Sequence, residues 1–178
     1  MQKILIVIDM QNDFIKGTLG SPDAVAIVPN VKKRIEKALL KGERVLFTRD
    51  THHEGYLETQ EGKNLPITHC IEGTYGWQIS DELQEFVEPG DVNVINKPTF
   101  GSRTLAEYLA SKNEFEKIEE ITLIGLCTDI CVISNAMTIK SFLTEVPVKV
   151  EADCCAGATR EGHETALKAM AACQIEIL

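Results

Sequence analysis

The sequence predicts an α/β fold of three layers, in which a six-stranded, mostly parallel sheet lies between two layers of helices. Short apolar runs rich in β-branched residues alternate with helical segments along the chain, and this alternation is typical of right-handed strand–helix–strand units. Several runs are continuously apolar, as in residues 4–8, which indicates strands covered on both faces. With 178 residues, the chain is expected to form one domain over residues 1–178.

Each predicted element follows from a local pattern. The strands are predicted at 3–10, 44–49, 92–97, 121–126, 146–152 and 175–178. Between the first two strands, Pro29 and Gly42 mark the start and end of a helix, and its apolar residues recur at helical spacing: Val28, Val31, Ile35 and Leu39. Acidic residues in a first turn predict a second helix from Ser80, and further helices are predicted at 102–112, 129–143 and 159–173.

One stretch, residues 50–79, has no regular pattern and is longer than most loops in compact domains. It also holds three of the four histidines. We therefore expect this stretch to be a functional segment or a lid.

Composition excludes two classes of partner. The 18 basic and 27 acidic residues give a net charge of −9, whereas a nucleic-acid-binding face needs a surplus of Lys and Arg. No apolar run approaches the roughly 20 residues of a membrane-spanning helix. Asp9 and Asp13 interrupt the apolar stretch at the start of the chain, so we expect no signal peptide.

The spacing of the six cysteines argues against a disulfide scaffold. Cys154 and Cys155 are adjacent, and Cys127 and Cys131 lie within one helical turn. Secreted disulfide-rich domains are normally shorter and richer in cysteine. We expect a cytoplasmic protein with mostly free thiols.

Polar side chains follow the predicted strands at the points where they end. Asp9 follows the first strand, Asp50 and His52 the second, Lys97 closes the third, and residues 127–131 follow the fourth. Ligands of open α/β sheets bind outside the carboxyl ends of the strands. We therefore expect these side chains to meet at one rim.

Cys131 is the candidate nucleophile at this rim. In the first turn of a helix, free N–H groups and the positive dipole end favour a thiolate and would stabilise an oxyanion. Lys97 and Asp9 would supply a positive neighbour and a base. This interpretation predicts a depressed pKa for Cys131 and faster labelling by iodoacetamide than at the other cysteines. The alternative is a small buried core residue, the commonest role of cysteine.

Asp50, His52 and His69 form a candidate metal site. Asp50 and His52 point the same way on an extended segment, and the loop would bring His69 back to them. One carboxylate and two imidazoles suit a divalent metal, zinc first, with iron or manganese as alternatives. The alternative is that these are surface histidines of a loop.

Two motifs and a lysine together resemble the cysteine hydrolases of the isochorismatase-like superfamily. These are residues 6–14 (IVIDMQNDF), Lys97 on the third strand, and residues 125–132 (GLCTDICV). Residues 50–52 and 69–74 further resemble the nicotinamidase branch. The resemblance implies a six-stranded parallel sheet and a catalytic triad of Asp9, Lys97 and Cys131. It also implies an oxyanion site of backbone N–H groups at Cys127 and Cys131, with a cis peptide before Cys127, and a metal at Asp50, His52 and His69.

The implied reaction is hydrolysis of a small amide, first of all nicotinamide to nicotinate and ammonia, through a thioester on cysteine. Phe14 and Trp77 would contact this substrate. Where nicotinamidases carry a stacking aromatic residue, residues 65–68 read Leu-Pro-Ile-Thr, and Thr-Phe-Gly-Ser at 99–102 replaces the Ser-Ala-Phe segment of the family.

Three other functions remain open. One is hydrolysis of another small amide or carbamoyl compound of the N-carbamoylsarcosine or ureidoacrylate type, and another is isochorismatase-type hydrolysis. The third is a non-enzymatic metal or redox module that uses Cys127 and Cys131, although their spacing is not the Cys-x-x-Cys of redox sites. The resemblance also implies a small-molecule partner and a homo-oligomer.

Overall fold

A computed structural model describes all residues, 1–178, and contains one six-stranded sheet. Every neighbouring pair of strands is parallel, in the order β3-β2-β1-β4-β5-β6. The strands are β1 (Gln2–Ile8), β2 (Arg44–Asp50), β3 (Val94–Lys97), β4 (Ile118–Leu126), β5 (Val148–Ala156) and β6 (Glu176–Ile177). The predicted α/β class is confirmed, and the sheet is parallel throughout.

Helices cover both faces of this sheet. Their bounds are α1 (Asn12–Ile15), α2 (Pro22–Leu40), α3 (Gln60–Asn64), α4 (Arg103–Phe115), α5 (Ile133–Phe142) and α6 (Arg160–Ala172). A π-helical turn, Thr128–Val132, leads from β4 into α5. None of these helices is long and apolar enough to cross a membrane.

Two hydrophobic clusters hold the three layers together. One packs one face of the sheet against α4, α5 and α6, through residues such as Leu109, Ile139 and Met170. The other packs the opposite face against α2, through Val31 and Ile35. Side chains of β1 contribute alternately to the two clusters, which explains why its apolar run is continuous.

Two predicted helices differ from the structure. The first begins at Pro22 rather than near Pro29, because the Ser21 hydroxyl accepts a hydrogen bond from the Ala24 N–H and caps the helix there. The helix predicted from Ser80 does not form. Only two short 3₁₀ turns follow, Gln84–Phe86 and Pro89–Asp91, and Gly90 within the second has a positive φ of 73° that ends any helical run.

The long segment after β2 is partly regular. It contains a 3₁₀ turn, Tyr56–Glu58, followed by α3. A parallel bridge between His52 and Ile71 returns the segment to the sheet edge. The segment therefore brings residues near 70 back to the end of β2.

The strand order reverses between β1 and β4, which is where open α/β sheets bind ligands. Gly125 allows the two strands to approach closely there. Its φ is +118°, and a Cβ atom at this position would lie 2.1 Å from the Ile8 carbonyl oxygen. The segments that follow β1 and β4 therefore diverge from a common point at the carboxyl edge.

Candidate active site

Three buried side chains from three different strand ends meet at this edge. Asp9 directly follows β1, Lys97 is the last residue of β3, and Cys131 lies in the π-helical turn after β4. The side chains of Asp9 and Lys97 have no exposed surface, and Cys131 is 5% exposed. The fold thus brings together the three residues that the sequence placed at one rim.

The Lys97 ammonium lies at the centre of this group. Its Nζ is 2.7 Å from Oδ2 of Asp9 and 3.5 Å from Sγ of Cys131. It also donates hydrogen bonds to Oδ1 of Asp50 at 3.2 Å and to the Thr99 carbonyl at 3.1 Å. A buried ammonium needs such partners because burial of an unpaired charge is costly.

Thr48 fixes the orientation of the Asp9 carboxylate. The Thr48 hydroxyl accepts a hydrogen bond from the Asp9 N–H at 3.2 Å and donates its own proton to Oδ1 at 2.6 Å. Oδ1 is thereby occupied. Oδ2, the oxygen beside Lys97, is left to exchange a proton with a neighbour.

The surroundings of the three groups shift their pKa values, and the shift at Cys131 is opposite to the one predicted from the sequence. Burial, and next the negative charge of Asp9, raise the pKa of Cys131 well above its ordinary value, although Lys97 opposes this. The sequence predicted a depressed pKa from the helix end and the positive charge of Lys97, and did not include the burial of the thiol. Burial also raises the pKa of Asp9 against the pull of Lys97. The carboxylates and the thiol outweigh burial at Lys97, whose pKa is raised, so it stays protonated.

Backbone donors lie beside the thiol. The Leu126–Cys127 peptide bond is cis, as the family resemblance implied. The Cys127 N–H donates to no acceptor within the protein, so it is free to bind a developing oxyanion. The carbonyl of Cys127 accepts from the N–H groups of Ile130 and Val132 at 3.0 Å each, which holds the turn closed.

A second group of polar side chains lies next to Asp9 and Lys97. Nε2 of His52 is 3.0 Å from Oδ2 of Asp50 and 3.5 Å from Oε1 of Glu61, and Nε2 of His69 is 3.7 Å from the same Asp50 oxygen. One ligand atom from each of these four residues lies within 4.8 Å of the others. The structure therefore brings the three predicted ligands together and adds Glu61.

These residues fit a divalent metal. Nε2 of His52 is buried and makes no hydrogen bond. Nδ1 of His69 lies 2.7 Å from the Ile67 carbonyl, so Nδ1 must carry the proton and Nε2 is left with a lone pair that faces the cluster. Two imidazole nitrogens with two carboxylates form a donor set that suits a d-block divalent ion.

Glu61 and the residues that hold the candidate metal ligands were not predicted from the sequence. The Gln11 side chain donates to the Asp50 carbonyl at 2.9 Å and accepts from the Asp50 N–H at 2.7 Å. The Asp13 carboxylate accepts from the N–H of Cys70 at 2.8 Å, next to His69. Gln11 and Asp13 lie in the 6–14 motif, so the motif itself indicated where such supporting residues would be found. Glu61 had none, because only the folded segment brings it near His52.

A cavity of about 440 Å³ opens beside Cys131 and the four-residue cluster. Its walls are mainly apolar, and Phe14, Leu65 and Phe100 contribute to them. The ring of Phe14 lies 5.6 Å from that of His69, which agrees with its predicted position near the substrate.

The structure contradicts the prediction that Trp77 contacts a substrate, because Trp77 does not line this cavity. Its indole N–H donates to the Thr51 hydroxyl at 2.9 Å, and the guanidinium of Arg49 stacks 3.6 Å from the centre of its ring. These contacts hold the ring against Arg49 and Thr51 at the end of β2. Trp77 therefore supports the end of β2 instead of contacting a substrate.

Comparison with known proteins matches the chain to one family along nearly its whole length. The sequence model of the isochorismatase domain matches residues 3–178. The uncharacterized isochorismatase family protein PncA of Bacillus subtilis is 29% identical over 175 residues, which are 94% of this chain and 93% of that protein.

Two solved structures share the whole fold. The pyrazinamidase of Pyrococcus horikoshii, solved in complex with zinc, is 27% identical with a TM-score of 0.82, covering 100% of this chain and 99% of that one. The pyrazinamidase/nicotinamidase of Streptococcus mutans is 27% identical with a TM-score of 0.86, covering 99% of this chain and 100% of that one.

Proposed function

Because this chain belongs to the isochorismatase family and is a hydrolase of linear amides, we propose that it converts nicotinamide to nicotinate and ammonia through a thioester on Cys131. One observation carries this proposal. Cys131 lines the apolar cavity, and its Sγ also lies within 3.5 Å of the ammonium that is paired with Asp9. A nucleophile, a base and a cation therefore face the same small-molecule site.

Asp9 begins the reaction as a base. It takes the proton from the Cys131 thiol at Oδ2, and the sulfur forms a bond to the amide carbonyl carbon. The carbonyl electron pair moves to oxygen, where the free N–H of Cys127 donates to it. Lys97 stays protonated and offsets the negative charge that moves between Asp9 and the sulfur.

The proton that Asp9 took from the thiol then leaves with the amide nitrogen. When the electron pair on oxygen returns, the carbon–nitrogen bond breaks, and Asp9 donates its proton to the departing nitrogen, which leaves as ammonia. Water attacks the thioester carbonyl while Asp9 takes one of its protons. The carbon–sulfur bond breaks, the carboxylic acid leaves, and Asp9 returns the proton to Cys131.

The residues Asp50, His52, Glu61 and His69 would hold the metal, for which we propose zinc. When bound, the ion would supply a Lewis acid that accepts the ring nitrogen of the substrate. Phe14 lines the cavity, and its ring lies 5.6 Å from that of His69. These positions support a pose in which one ring face of the substrate lies against Phe14 and the amide carbon lies beside Cys131.

The lining of the cavity favours a neutral amide over the carbamoyl and isochorismatase-type alternatives. N-carbamoylsarcosine, ureidoacrylate and isochorismate all carry carboxylates. The cavity has no lysine or arginine in its lining, whereas Asp50 and Glu61 are part of it. The two carboxylates would offset the charge of the proposed zinc, so the lining leaves no net positive charge for the carboxylate of an anionic substrate, which opposes its binding.

The redox alternative is also disfavoured by the thiols themselves. Burial raises the pKa of Cys127 to about 12 and raises that of Cys131 as well. Thiol–disulfide exchange requires a thiolate. Two buried thiols with raised pKa values are poor candidates for a redox pair.

A screen for ammonia release tests the proposal. The protein, with and without added Zn²⁺, is incubated with nicotinamide, N-carbamoylsarcosine and ureidoacrylate. We expect ammonia from nicotinamide, none with Cys131→Ala, and an unchanged rate with Cys173→Ala, which alters an exposed cysteine away from the site. Ammonia from the anionic compounds alone would overturn the assignment.

A further inference from the structure

Asn135 is a fully buried asparagine one helical turn beyond Cys131, with 0% of its surface exposed. All of its side-chain hydrogen-bonding atoms are engaged by backbone groups. Its Nδ2 donates to the Cys131 carbonyl at 2.8 Å and to the Phe100 carbonyl at 2.9 Å, and its Oδ1 accepts from the Ser102 N–H at 2.9 Å. One side chain therefore joins α5 and the π-helical turn to the loop that follows β3.

The loop held in this way also contacts the catalytic lysine. The Lys97 ammonium donates to the carbonyl of Thr99, the residue before Phe100. A continuous path of contacts thus runs from Lys97 through Thr99 and Phe100 to Asn135, and from Asn135 to the backbone of Cys131. Lys97 itself contacts this loop and the Cys131 sulfur, but only Asn135 hydrogen-bonds to both the 99–102 loop and the backbone of Cys131.

We propose that Asn135 is a positioning residue, which sets the distance between the Cys131 sulfur and the Lys97 ammonium by holding their two segments in register. The sulfur and the ammonium come from segments that do not follow each other in the chain, and they are 3.5 Å apart. Misplacement of reacting groups by about 1 Å can reduce a rate by about 100-fold. Loss of the Asn135 contacts would allow such a displacement without removing any reacting atom.

A second buried asparagine provides a matched control. Asn93 is 2% exposed, accepts from the Glu88 N–H at 2.8 Å and donates to the Phe86 carbonyl at 3.0 Å. It holds the loop that precedes β3, at the opposite end of this strand from Lys97. Asn93→Ala therefore removes similar hydrogen bonds without affecting Cys131.

The Asn135→Thr variant separates the contact with the Cys131 carbonyl from the contacts with the 99–102 loop. In the same helix, the Thr138 hydroxyl donates to the carbonyl four residues earlier, that of Ser134, at 2.7 Å. A threonine at 135 would likewise donate to the Cys131 carbonyl but would not reach Phe100 and Ser102. It keeps the local helix contact and removes the link to the loop.

The first measurement follows kcat and KM for ammonia release from nicotinamide, and it rests on the proposed function. For Asn135→Ala and Asn135→Thr we expect kcat to fall by about 10- to 100-fold, with a smaller change in KM. Asn93→Ala should keep the kcat of the wild-type protein. A wild-type kcat in folded Asn135→Thr would overturn the proposal, because the link to the loop would then be dispensable.

The second measurement does not depend on the substrate. Iodoacetamide is added at pH 9, and mass spectrometry gives the alkylation rate of Cys131 relative to Cys173 in the same molecule. We expect this ratio to fall at least about tenfold in both Asn135 variants and to stay constant in Asn93→Ala. An unchanged or higher ratio would overturn the positioning role. If the wild-type protein releases no ammonia from nicotinamide, the proposed function fails while this ratio still decides the role of Asn135.

Discussion

The Nζ of Lys97 lies 2.7 Å from Oδ2 of Asp9, and neither side chain has any exposed surface. The sheet order separates their strands by β2, so the long lysine side chain must reach across the end of that strand. On the way it also meets Asp50 at 3.2 Å. This one cation therefore balances the carboxylate proposed as the base and a carboxylate of the proposed metal site together.

Replacement of this cation should be costly for stability as well as activity. Lys97→Met leaves two buried carboxylates without their partner, and breaking a buried ion pair costs about 3–5 kcal/mol. Urea unfolding at pH 7 measures the loss. Lys112→Met, which breaks an exposed pair with Glu116, should cost less than about 0.5 kcal/mol. A similar loss in both variants would show that Lys97 is not the charge partner described.

Adding Asp9→Asn to Lys97→Met should recover part of that loss. The second change removes one of the unpaired buried charges, so the double variant should unfold at a higher urea concentration than Lys97→Met alone. The double-mutant cycle would then show a strong coupling between the two positions. Simple addition of the two single losses would contradict the ion pair.

The resting thiol should react slowly with alkylating reagents. Burial and the charge of Asp9 raise the pKa of Cys131, so little thiolate exists at neutral pH. We expect iodoacetamide at pH 7 to label exposed Cys173 before Cys131, and the rate at Cys131 to increase as the pH rises. Peptide mass spectrometry reads both sites. Faster labelling of Cys131 than of Cys173 at pH 7 would contradict the raised pKa and would agree with the depressed pKa predicted from the sequence.

The acid limb of the pH–rate profile should report Asp9. Asp9 must be ionised to accept the thiol proton, and burial raises its pKa above the ordinary 3.8, so kcat/KM should decline as the pH falls through that raised value. Thr48→Val removes a hydrogen bond to the ionised carboxylate, and such bonds contribute about 1.5–3 kcal/mol. The limb should therefore move by about one unit or more to higher pH.

Thr48→Ser retains the hydroxyl and is the matched control for this shift. Its acid limb should coincide with that of the wild-type protein. If the valine and serine variants have the same profile, the hydroxyl does not act on the base of the reaction.

Zinc should stabilise the folded protein through the four-residue cluster. A ligand at 100 times its Kd raises the free energy of unfolding by about 2.7 kcal/mol, which appears as a higher Tm in differential scanning calorimetry. His52→Ala and Glu61→Gln should weaken this shift. His53→Ala should not, because His53 is adjacent in sequence but its side chain is 75% exposed and faces Glu72. An equal zinc shift in all three variants would place the ion elsewhere.

Much of the fold was predictable because its signals are local. The short apolar runs predicted all six strands, and the polar residues at the ends of the first four strands predicted the rim at which Asp9, Lys97 and Cys131 meet. The failed helix after Ser80 shows the limit of such signals. Its acidic residues suit a first helical turn, but only two 3₁₀ turns form there, and Gly90 in the second has a positive φ.

The remaining details of the site depend on contacts between distant segments. Trp77 was predicted to face the substrate because it lies in the long segment, yet its hydrogen bond to Thr51 turns it away. Glu61 and Asn135 reach the site only after the chain has folded, so no spacing rule could predict them. The raised pKa of Cys131 follows from burial, which periodicity alone does not measure. The cytoplasmic location, the single-domain organisation and the expected homo-oligomer stay predictions.

Trapping the covalent intermediate is the most direct test of the account. The protein is mixed with nicotinamide, quenched in acid within the first turnovers and digested, and the peptide that contains Cys131 is examined by mass spectrometry. The account predicts a nicotinoyl group on Cys131 that disappears as substrate is exhausted. Continued ammonia release by Cys131→Ala, with no acyl group on the wild-type peptide, would contradict it.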